Sequence, residues 1–189
     1  MSDKLFDPKK LLKLNNPKRF EEVPPKVIWD KLNLKNPKVL IDIGAGTGYF
    51  TKEFMKLIQT GKIYACDISD IMLEWMKENT CKDFPDIIPT KLATSTLPFD
   101  DEVADLVYTI NLHHEIDDHN SLLNEAFRIL KSGCKIFIVD WKKIKTENGP
   151  PLNIRFKTEE VKEQLIEAGF KNIQISNDFT NYFLVIAEK

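Results

Sequence analysis

Residues 39–51 have the sequence VLIDIGAGTGYFT, and this stretch decides the predicted fold of the chain. Residues 38–43 are mostly apolar, too short for a helix and bracketed by proline and glycine, so they are predicted to form a strand. Residues 47–59 carry apolar side chains at helical intervals, which predicts a helix. The turn between them holds three of the chain's seven glycines and one alanine, namely Gly44, Ala45, Gly46 and Gly48. The stretch therefore predicts a strand, a tight turn and a helix.

The glycine turn has the composition of a ligand-binding loop. Glycines at a strand-to-helix junction let the backbone turn sharply and let a ligand approach the main chain and the helix N-terminus. A turn without a ligand is the alternative interpretation, but such a turn does not need three glycines. We therefore expect a bound ligand at this junction.

Two features of the loop distinguish between possible ligands. A dinucleotide loop follows G-x-G-x-x-G/A, whereas here the bulky Tyr49 stands at the last small position. Asp42 precedes the loop by two residues, and its carboxylate would repel a pyrophosphate but attract a cation. S-adenosylmethionine carries both a sulfonium and an ammonium group. The loop therefore favours S-adenosylmethionine as the cofactor, with an NAD-binding dehydrogenase as the less favoured alternative.

A second carboxylate, Asp67, ends the next predicted strand, 19 residues after Gly48. An acidic residue at about that distance is placed to accept hydrogen bonds from ribose hydroxyls. The alternative interpretation is a cap for the helix that begins near Ser69. Because Asp67 occurs together with the glycine loop, we predict that it contacts the ribose.

Apolar strands and amphipathic helices alternate along the rest of the chain, which is typical of an α/β sandwich with a mostly parallel sheet. A helix at residues 121–130 is predicted to end at Ser132 and Gly133. The final two strands form a hairpin, so one strand must be antiparallel. Pro89 indicates that its strand is short or lies at an edge. The strands after the first are predicted at residues 62–66, 87–92, 102–110, 135–141, 171–176 and 182–187.

Composition excludes several classes of function. The 189 residues carry 27 basic and 29 acidic side chains, so the chain has no excess of positive charge with which to bind nucleic acid. At this length, residues 1–189 are expected to form one domain. No apolar run is long enough to span a membrane, and no signal peptide is evident. Three widely spaced cysteines indicate reduced thiols and a cytoplasmic location; they are Cys66, Cys81 and Cys134.

Four stretches, taken together, resemble class I S-adenosylmethionine-dependent methyltransferases, and most of all the ubiquinone/menaquinone-biosynthesis methyltransferase-like group. They are VLIDIGAGTGYFT (39–51), CDIS (66–69), LPFDDEVADLV (97–107) and LKSGCKIFIVDW (130–141). The resemblance covers about residues 25–189. It implies a Rossmann-like three-layer sandwich whose seven-stranded, mostly parallel sheet has the order 3-2-1-4-5-7-6 with strand 7 antiparallel. It also implies methyl transfer from S-adenosylmethionine.

The resemblance assigns cofactor contacts residue by residue. Asp42, Gly44 and Gly46, in the loop that also contains Ala45 and Gly48, would contact the methionine part, and Asp67 the ribose. Ile68 would pack on the adenine, and Asn111, after the fourth strand, would flank the ligand. The family often has an acidic residue before the LPF motif to bind the adenine amino group. Here that stretch is Ala-Thr-Ser-Thr, so adenine contact is expected from the backbone or from the hydroxyl of Thr94 or Ser95.

All three histidines lie in the loop after the fourth strand, at the edge of the sheet where ligands bind in such folds: His113, His114 and His119. Three interpretations stand side by side: a solvated or capping loop, substrate positioning or proton transfer by His113 or His114, and a metal site with Asp117 or Asp118. The spacing fits no familiar set of metal ligands, so no metal is expected. His113 and His114 are the candidate catalytic residues.

The acceptor side carries no inserted lid domain. Residues 142–157 form the longest irregular stretch, and together with the N-terminal segment 1–24, around Arg19 and Phe20, they are the candidate substrate cover. A pocket of this kind suits a small molecule better than a folded protein. We expect a small-molecule methyl acceptor and a monomer or homodimer. A non-catalytic S-adenosylmethionine-binding or regulatory protein is the alternative.

Overall fold

The computed structural model describes residues 11–93 and 96–189. Its helices are α1 (Leu11–Leu14), α2 (Lys18–Glu22), α3 (Pro25–Leu32), α4 (Tyr49–Leu57), α5 (Asp70–Asn79), α6 (His119–Ile129) and α7 (Thr158–Glu167). Its strands are β1 (Val39–Ile43), β2 (Lys62–Asp67), β3 (Ile87–Lys91), β4 (Ala104–Ile110), β5 (Leu130–Trp141), β6 (Lys171–Ser176) and β7 (Tyr182–Glu188). Two short 3-10 turns lie at His113–Glu115 and Leu152–Ile154.

The seven strands form one sheet with the order β3-β2-β1-β4-β5-β7-β6. Five neighbouring strands, from β3 to β5, pair in parallel, and β7 runs antiparallel to both β5 and β6. The predicted fold class, strand order and terminal hairpin are confirmed. Because the parallel strands all end at one edge, the loops that follow β1, β2, β4 and β5 meet there.

Alternating side chains of the strands build a core on each face of the sheet. In β1, Leu40 packs with residues of α3 and α4, whereas Ile41 and Ile43 pack with residues of α6 and α7. On β5, Phe137 and Val139 face the α3–α4 side, and Ile136 and Ile138 face the α6–α7 side. The two faces make the three-layer sandwich and fix which layer each strand-end side chain points toward.

Strand β3 lies at the edge of the sheet, as Pro89 predicted, and pairs with β2 alone. A proline cannot donate to a ladder, so an edge position suits this strand.

The predicted boundary between α6 and β5 is wrong. The helix stops at Ile129 and Leu130 already pairs with Ala104, but the next partners are Leu106 and Lys135. The four residues between them form a bulge, in which Gly133 has φ +73° and its amide donates to Lys189 O at 3.0 Å. Ser132 and Gly133 therefore bend the strand rather than terminate the helix, as glycine does in bulges.

Within the part of the chain that the structure describes, every helix is too short or too polar to cross a lipid bilayer.

Candidate functional site

The glycine loop has the sharp turn that its sequence predicts. Gly44, Gly46 and Gly48 have φ of +75°, +57° and +71°, which other residues adopt at a cost. A Cβ on Gly44 would lie 2.7 Å from both terminal methyl groups of Leu112, in the loop after β4. Glycine at position 44 therefore permits a close approach between the loops that follow β1 and β4.

The amides of this loop are bonded within the protein. The amides of Gly44 and Ala45 both donate to Cys66 O at 2.9 Å, that of Gly46 to Asp67 Oδ2 at 2.8 Å, and that of Gly48 to Ala45 O at 2.9 Å. A phosphate-binding loop needs such N–H groups turned toward its ligand. The geometry therefore disfavours a pyrophosphate here, in agreement with the bulky residue at position 49.

Asp42 is a buried carboxylate beneath the first turn of α4. Its Oδ2 accepts a hydrogen bond from Thr51 Oγ1 at 2.5 Å, and 3% of the residue is exposed. Burial raises the pKa of Asp42 to about 7, against the opposing hydrogen bond from Thr51; nearby Asp67 raises it further. Among the described residues no basic group forms an ion pair with Asp42, so a cationic ligand at this edge would be stabilised by it.

Asp67, at the end of β2, joins the glycine loop to the start of α5. One carboxylate oxygen accepts from the Gly46 amide and the other from the Ser69 amide, both at 2.8 Å. Burial raises the pKa of Asp67, and these backbone bonds oppose the rise. The helix cap is Ser69, whose side chain accepts from Met72 N at 3.4 Å. Each oxygen of a carboxylate can accept a second bond, so these contacts are compatible with the predicted ribose contact.

The residues predicted to meet the adenine are described only in part. Ile68 follows Asp67 with 39% of its surface exposed, which leaves an apolar side chain open to a base. Thr94 and Ser95 lie outside the described residues. Lys91, the last residue of β3, lies next to Ile68. Its Nζ donates to Ile68 O at 2.7 Å and forms an ion pair with Asp70 at 2.8 Å.

Asn111 supplies an observation that points to a ligand. It has φ +59° just after β4, and its amide donates to Val139 O at 2.8 Å, which holds it at the edge. Its side-chain Oδ1 is buried and has no hydrogen-bond partner among the described residues. Buried acceptors are normally satisfied, so a donor such as the ammonium of S-adenosylmethionine fits this position.

The two candidate catalytic histidines have different surroundings. His113 is 1% exposed; its Nε2 lies 2.8 Å from Gln164 Oε1, and its ring packs against His119 and Phe156 at centroid distances of 4.4 and 5.2 Å. Burial lowers the pKa of His113 to about 4, with a further contribution from His119. These contacts are those of a structural residue that joins the loop to α7.

His114 lies between two carboxylates. Its Nδ1 is 2.8 Å from Asp140 Oδ1, its amide donates to Asp140 Oδ2 at 3.0 Å, and its Nε2 is 3.6 Å from Glu115 Oε1. Because an ionised carboxylate only accepts, the contact with Asp140 places the proton on Nδ1 and leaves Nε2 as the acceptor. Asp140 thus fixes the orientation of the His114 ring.

Asp140 and Glu115 were not among the site residues predicted from the sequence. The available signal for Asp140 was its position, since it stands at the carboxyl end of a strand on the same edge as Asp42 and Asp67. Both Asp140 and Asp67 act to raise the pKa of Glu115, although burial is the main cause. The edge therefore gathers four acidic residues, an arrangement that attracts cations; they do not form a metal-binding cluster among the described residues.

The predicted cover is partly described. Phe20 stacks on Tyr49 with ring centroids 4.1 Å apart, and Asn15 Oδ1 accepts from Thr47 Oγ1 at 3.0 Å. Leu14 Cδ1 would lie 3.2 Å from a Cβ on Gly46. The segment 14–20 therefore packs directly on the glycine loop and the start of α4. Residues 1–10 of the predicted N-terminal cover lie outside the described residues.

The second predicted cover, segment 142–157, is built around the buried guanidinium of Arg155. Arg155 lies over the ring of Trp141 at 5.1 Å and donates to Thr146 Oγ1 and to four carbonyl oxygens, at 2.8–3.3 Å. The segment is thus an ordered wall at the end of β5. Its four carbonyls belong to Lys142, Ile144, Asn148 and Pro150.

Comparisons with known proteins agree with this geometry. Residues 41–138 match the methyltransferase domain family. Ubiquinone/menaquinone biosynthesis C-methyltransferases of Escherichia coli are 24% identical over 117 residues, which are 60% of this chain and 47% of theirs. The chain spans about half the length of the curated relatives it matches.

Two solved structures extend the comparison to nearly the whole chain. A SAM-dependent methyltransferase from Aquifex aeolicus has a TM-score of 0.90 and 27% identity, over 97% of this chain and 98% of that one. Human N-acetylserotonin methyltransferase in complex with SAM has a TM-score of 0.75 and 20% identity, over 97% of this chain and 56% of that one. At that identity the second match concerns the fold alone.

Proposed function

The chain belongs to the methyltransferase domain family, and on that premise we propose that it transfers a methyl group from S-adenosylmethionine to a small-molecule acceptor. The observation that carries the proposal is the glycine loop. Its amides are bonded internally, and the buried carboxylate of Asp42 lies beside it. Such a loop suits a ligand that brings positive charge and needs close backbone approach.

The described contacts support a set of residues that would hold S-adenosylmethionine. Asp42 and the orphaned Oδ1 of Asn111 would take the methionine end, Asp67 the ribose and Ile68 the adenine. Gly44, Ala45, Gly46 and Gly48 would lie against the ligand, because none of these four residues has a side chain larger than a methyl group of its own. When bound, the cofactor supplies an electrophilic methyl group on its sulfonium.

The chain's own contribution to the chemistry is positioning and one base. Alignment of two reacting groups is worth about 7–11 kcal/mol, so in-line transfer does not require further machinery. His114 Nε2 would accept the proton that the acceptor loses, and Asp140 would hold the ring and stabilise the imidazolium. His113 would not take part, because its Nε2 already lies against Gln164.

The same proposal takes residues 1–189 as one domain and the segments 14–20 and 142–157 as the walls of the acceptor pocket. Arg155 holds the second wall in one conformation, so the pocket is shaped before an acceptor arrives. A pocket bounded by segments of the same domain, rather than by an inserted lid domain, suits a small acceptor.

Calorimetry of the purified protein with three ligands tests the cofactor assignment. S-adenosylmethionine and S-adenosylhomocysteine are expected to bind and NAD is not; NAD binding without either of the others would overturn the proposal. A screen of small metabolites for release of S-adenosylhomocysteine then tests the activity. Silence across quinone precursors, phenols, amines, thiols and arsenite, with the cofactor bound, would favour a non-catalytic binding protein.

A further inference from the structure

Arginine is scarce in this chain, and two of its three guanidinium groups are saturated by the protein. Arg128 makes five hydrogen bonds, to the side chains of Glu125 and Asp101 and to two carbonyls. Arg155 also makes five, inside the segment that it organises. Among residues 11–93 and 96–189, Arg19 makes one: its Nη1 donates to Leu14 O at 2.6 Å.

The position of Arg19 is fixed by few contacts with the part of the chain that the structure describes. The guanidinium lies over the ring of Phe50, with Cζ 4.8 Å from the centroid, and the side chain is half-buried. Stacking and the single hydrogen bond orient the planar group. A guanidinium has five N–H donors, and the contacts among the described residues use one of them.

The neighbours of Arg19 place it at the edge of the sheet where the parallel strands end and the glycine loop lies. Burial lowers the pKa of Arg19, and the nearby groups that oppose this shift are Tyr182, Tyr49, Glu22 and Asp42. Asp42 is at the end of β1, and Tyr182 begins β7 opposite Trp141, the last residue of β5. Asp140, the partner of His114, directly precedes Trp141. Arg19 therefore lies on the α3–α4 side of the edge, whereas the proposed base lies on the α6–α7 side.

Neither carboxylate near Arg19 neutralises it by direct contact. Among the described residues no acidic group lies within ion-pair distance of the guanidinium. Glu22 Oε2 accepts from the Tyr182 hydroxyl at 3.1 Å, and Asp42 Oδ2 accepts from Thr51. Asp42 is also the group that a cationic cofactor would neutralise. Arg19 then remains as a cation on the acceptor side.

Resting on the proposed function, we propose that Arg19 binds a carboxylate of the methyl acceptor, so that the acceptor is a small carboxylic acid. The planar fork of a guanidinium matches the two oxygens of a carboxylate, and the pairing gives orientation as well as affinity. The acceptor would lie between Arg19 and His114, with its carboxylate on the first and its nucleophile near the second.

Calorimetry with matched probes tests this inference without knowledge of the true acceptor. Benzoate and acetate are titrated into the protein saturated with S-adenosylhomocysteine, beside their neutral amides benzamide and acetamide. We expect a preference for the carboxylates and a loss of about tenfold or more in benzoate affinity for Arg19→Met. Arg19→Lys keeps the charge but not the fork, so it should lose less. Lys18→Met, an exposed cation in the same helix, is the matched control and should change nothing.

The outcomes separate the two proposals. Failure of S-adenosylhomocysteine to bind the wild type contradicts the proposed function. Normal S-adenosylhomocysteine binding with no carboxylate preference, or with equal benzoate affinity in the wild type and Arg19→Met, contradicts only the inference about Arg19. Thermal melting of each variant shows whether Arg19 serves only to hold the segment 14–20. In that case Arg19→Met lowers the melting temperature and leaves benzoate affinity unchanged.

Discussion

Asp67 shows how one carboxylate serves both shape and binding. Replacing it with alanine removes two backbone hydrogen bonds and the predicted ribose contact. We expect cofactor affinity to fall by about tenfold or more and stability by about 1–3 kcal/mol, with the fold retained because the residue is at a strand end. Calorimetry and thermal melting measure the two effects. Asp70→Ala, which removes an exposed ion pair with Lys91, is the control. Lower stability with unchanged affinity would make Asp67 purely structural.

The raised pKa of Asp42 predicts an unusual pH dependence of stability and of cofactor affinity. Its pKa in the folded protein is about 7, above its ordinary value of 3.8. The folded state therefore holds a proton that the unfolded state has lost, and stability falls as pH rises from about 4 to about 7. A cationic ligand prefers the ionised carboxylate, so affinity should rise through the same pH range.

The measurement compares the wild type with Asp42→Asn from pH 5.5 to 8.5, by calorimetry with S-adenosylmethionine. Only the difference between the two curves counts, because titration of the ligand affects both alike. We expect the wild-type advantage to grow up to about pH 7 and then level off. A difference independent of pH would show that Asp42 is ionised throughout.

At the scale of elements, we expect the two candidate histidines in the loop after β4 to have different roles, His114 in catalysis and His113 in stability. His114→Gln should lower kcat by about 10²-fold or more while leaving cofactor affinity unchanged, because its contact is made during transfer. Asp140→Asn should act in the same direction. His113→Gln should instead lower stability, since it disturbs the buried contact with Gln164.

A pH series adds a second test of this division. The pKa of His113 is about 4 when folded, below its ordinary value of 6.5, so its contribution to stability is lost as pH falls from about 6.5 to about 4. That loss should be absent in the variant. Reduced turnover in His113→Gln with full stability would reverse the assignment.

Elements also show what sequence patterns can and cannot predict. Strand β1 and the glycine loop were predictable because a short apolar run between proline and glycine has few alternatives. The start of β5 was not, because Ser132 and Gly133 occur equally at helix ends and in bulges. Only pairing with β4, fixed by the rest of the sheet, places Leu130 in the strand.

At the scale of the whole molecule, the site depends on distances that the sequence does not contain. The net charge of −2 gives no hint that the carboxylates of Asp42, Asp67, Glu115 and Asp140 share one edge. The first two were predictable from their positions relative to the glycine loop. Asp140 and Glu115 could be recognised as site residues only once β5 was placed beside β4 and the loop after β4 was seen to contact Asp140. The split between His113 and His114 likewise depends on Gln164, which lies on α7, 50 residues after His114 in sequence.

The internal hydrogen bonds of the glycine loop have a consequence for the thermodynamics of binding. A flexible glycine-rich loop would lose conformational entropy when a ligand orders it, and that loss would weaken the complex. Here Cys66, Asp67 and Ala45 already hold the loop amides in place. The loop is thus ordered during folding. Binding then costs little conformational entropy in the loop, so the free energy of the contacts with the ligand contributes almost fully to affinity. A preorganised loop of this kind also predicts similar backbone conformations before and after binding.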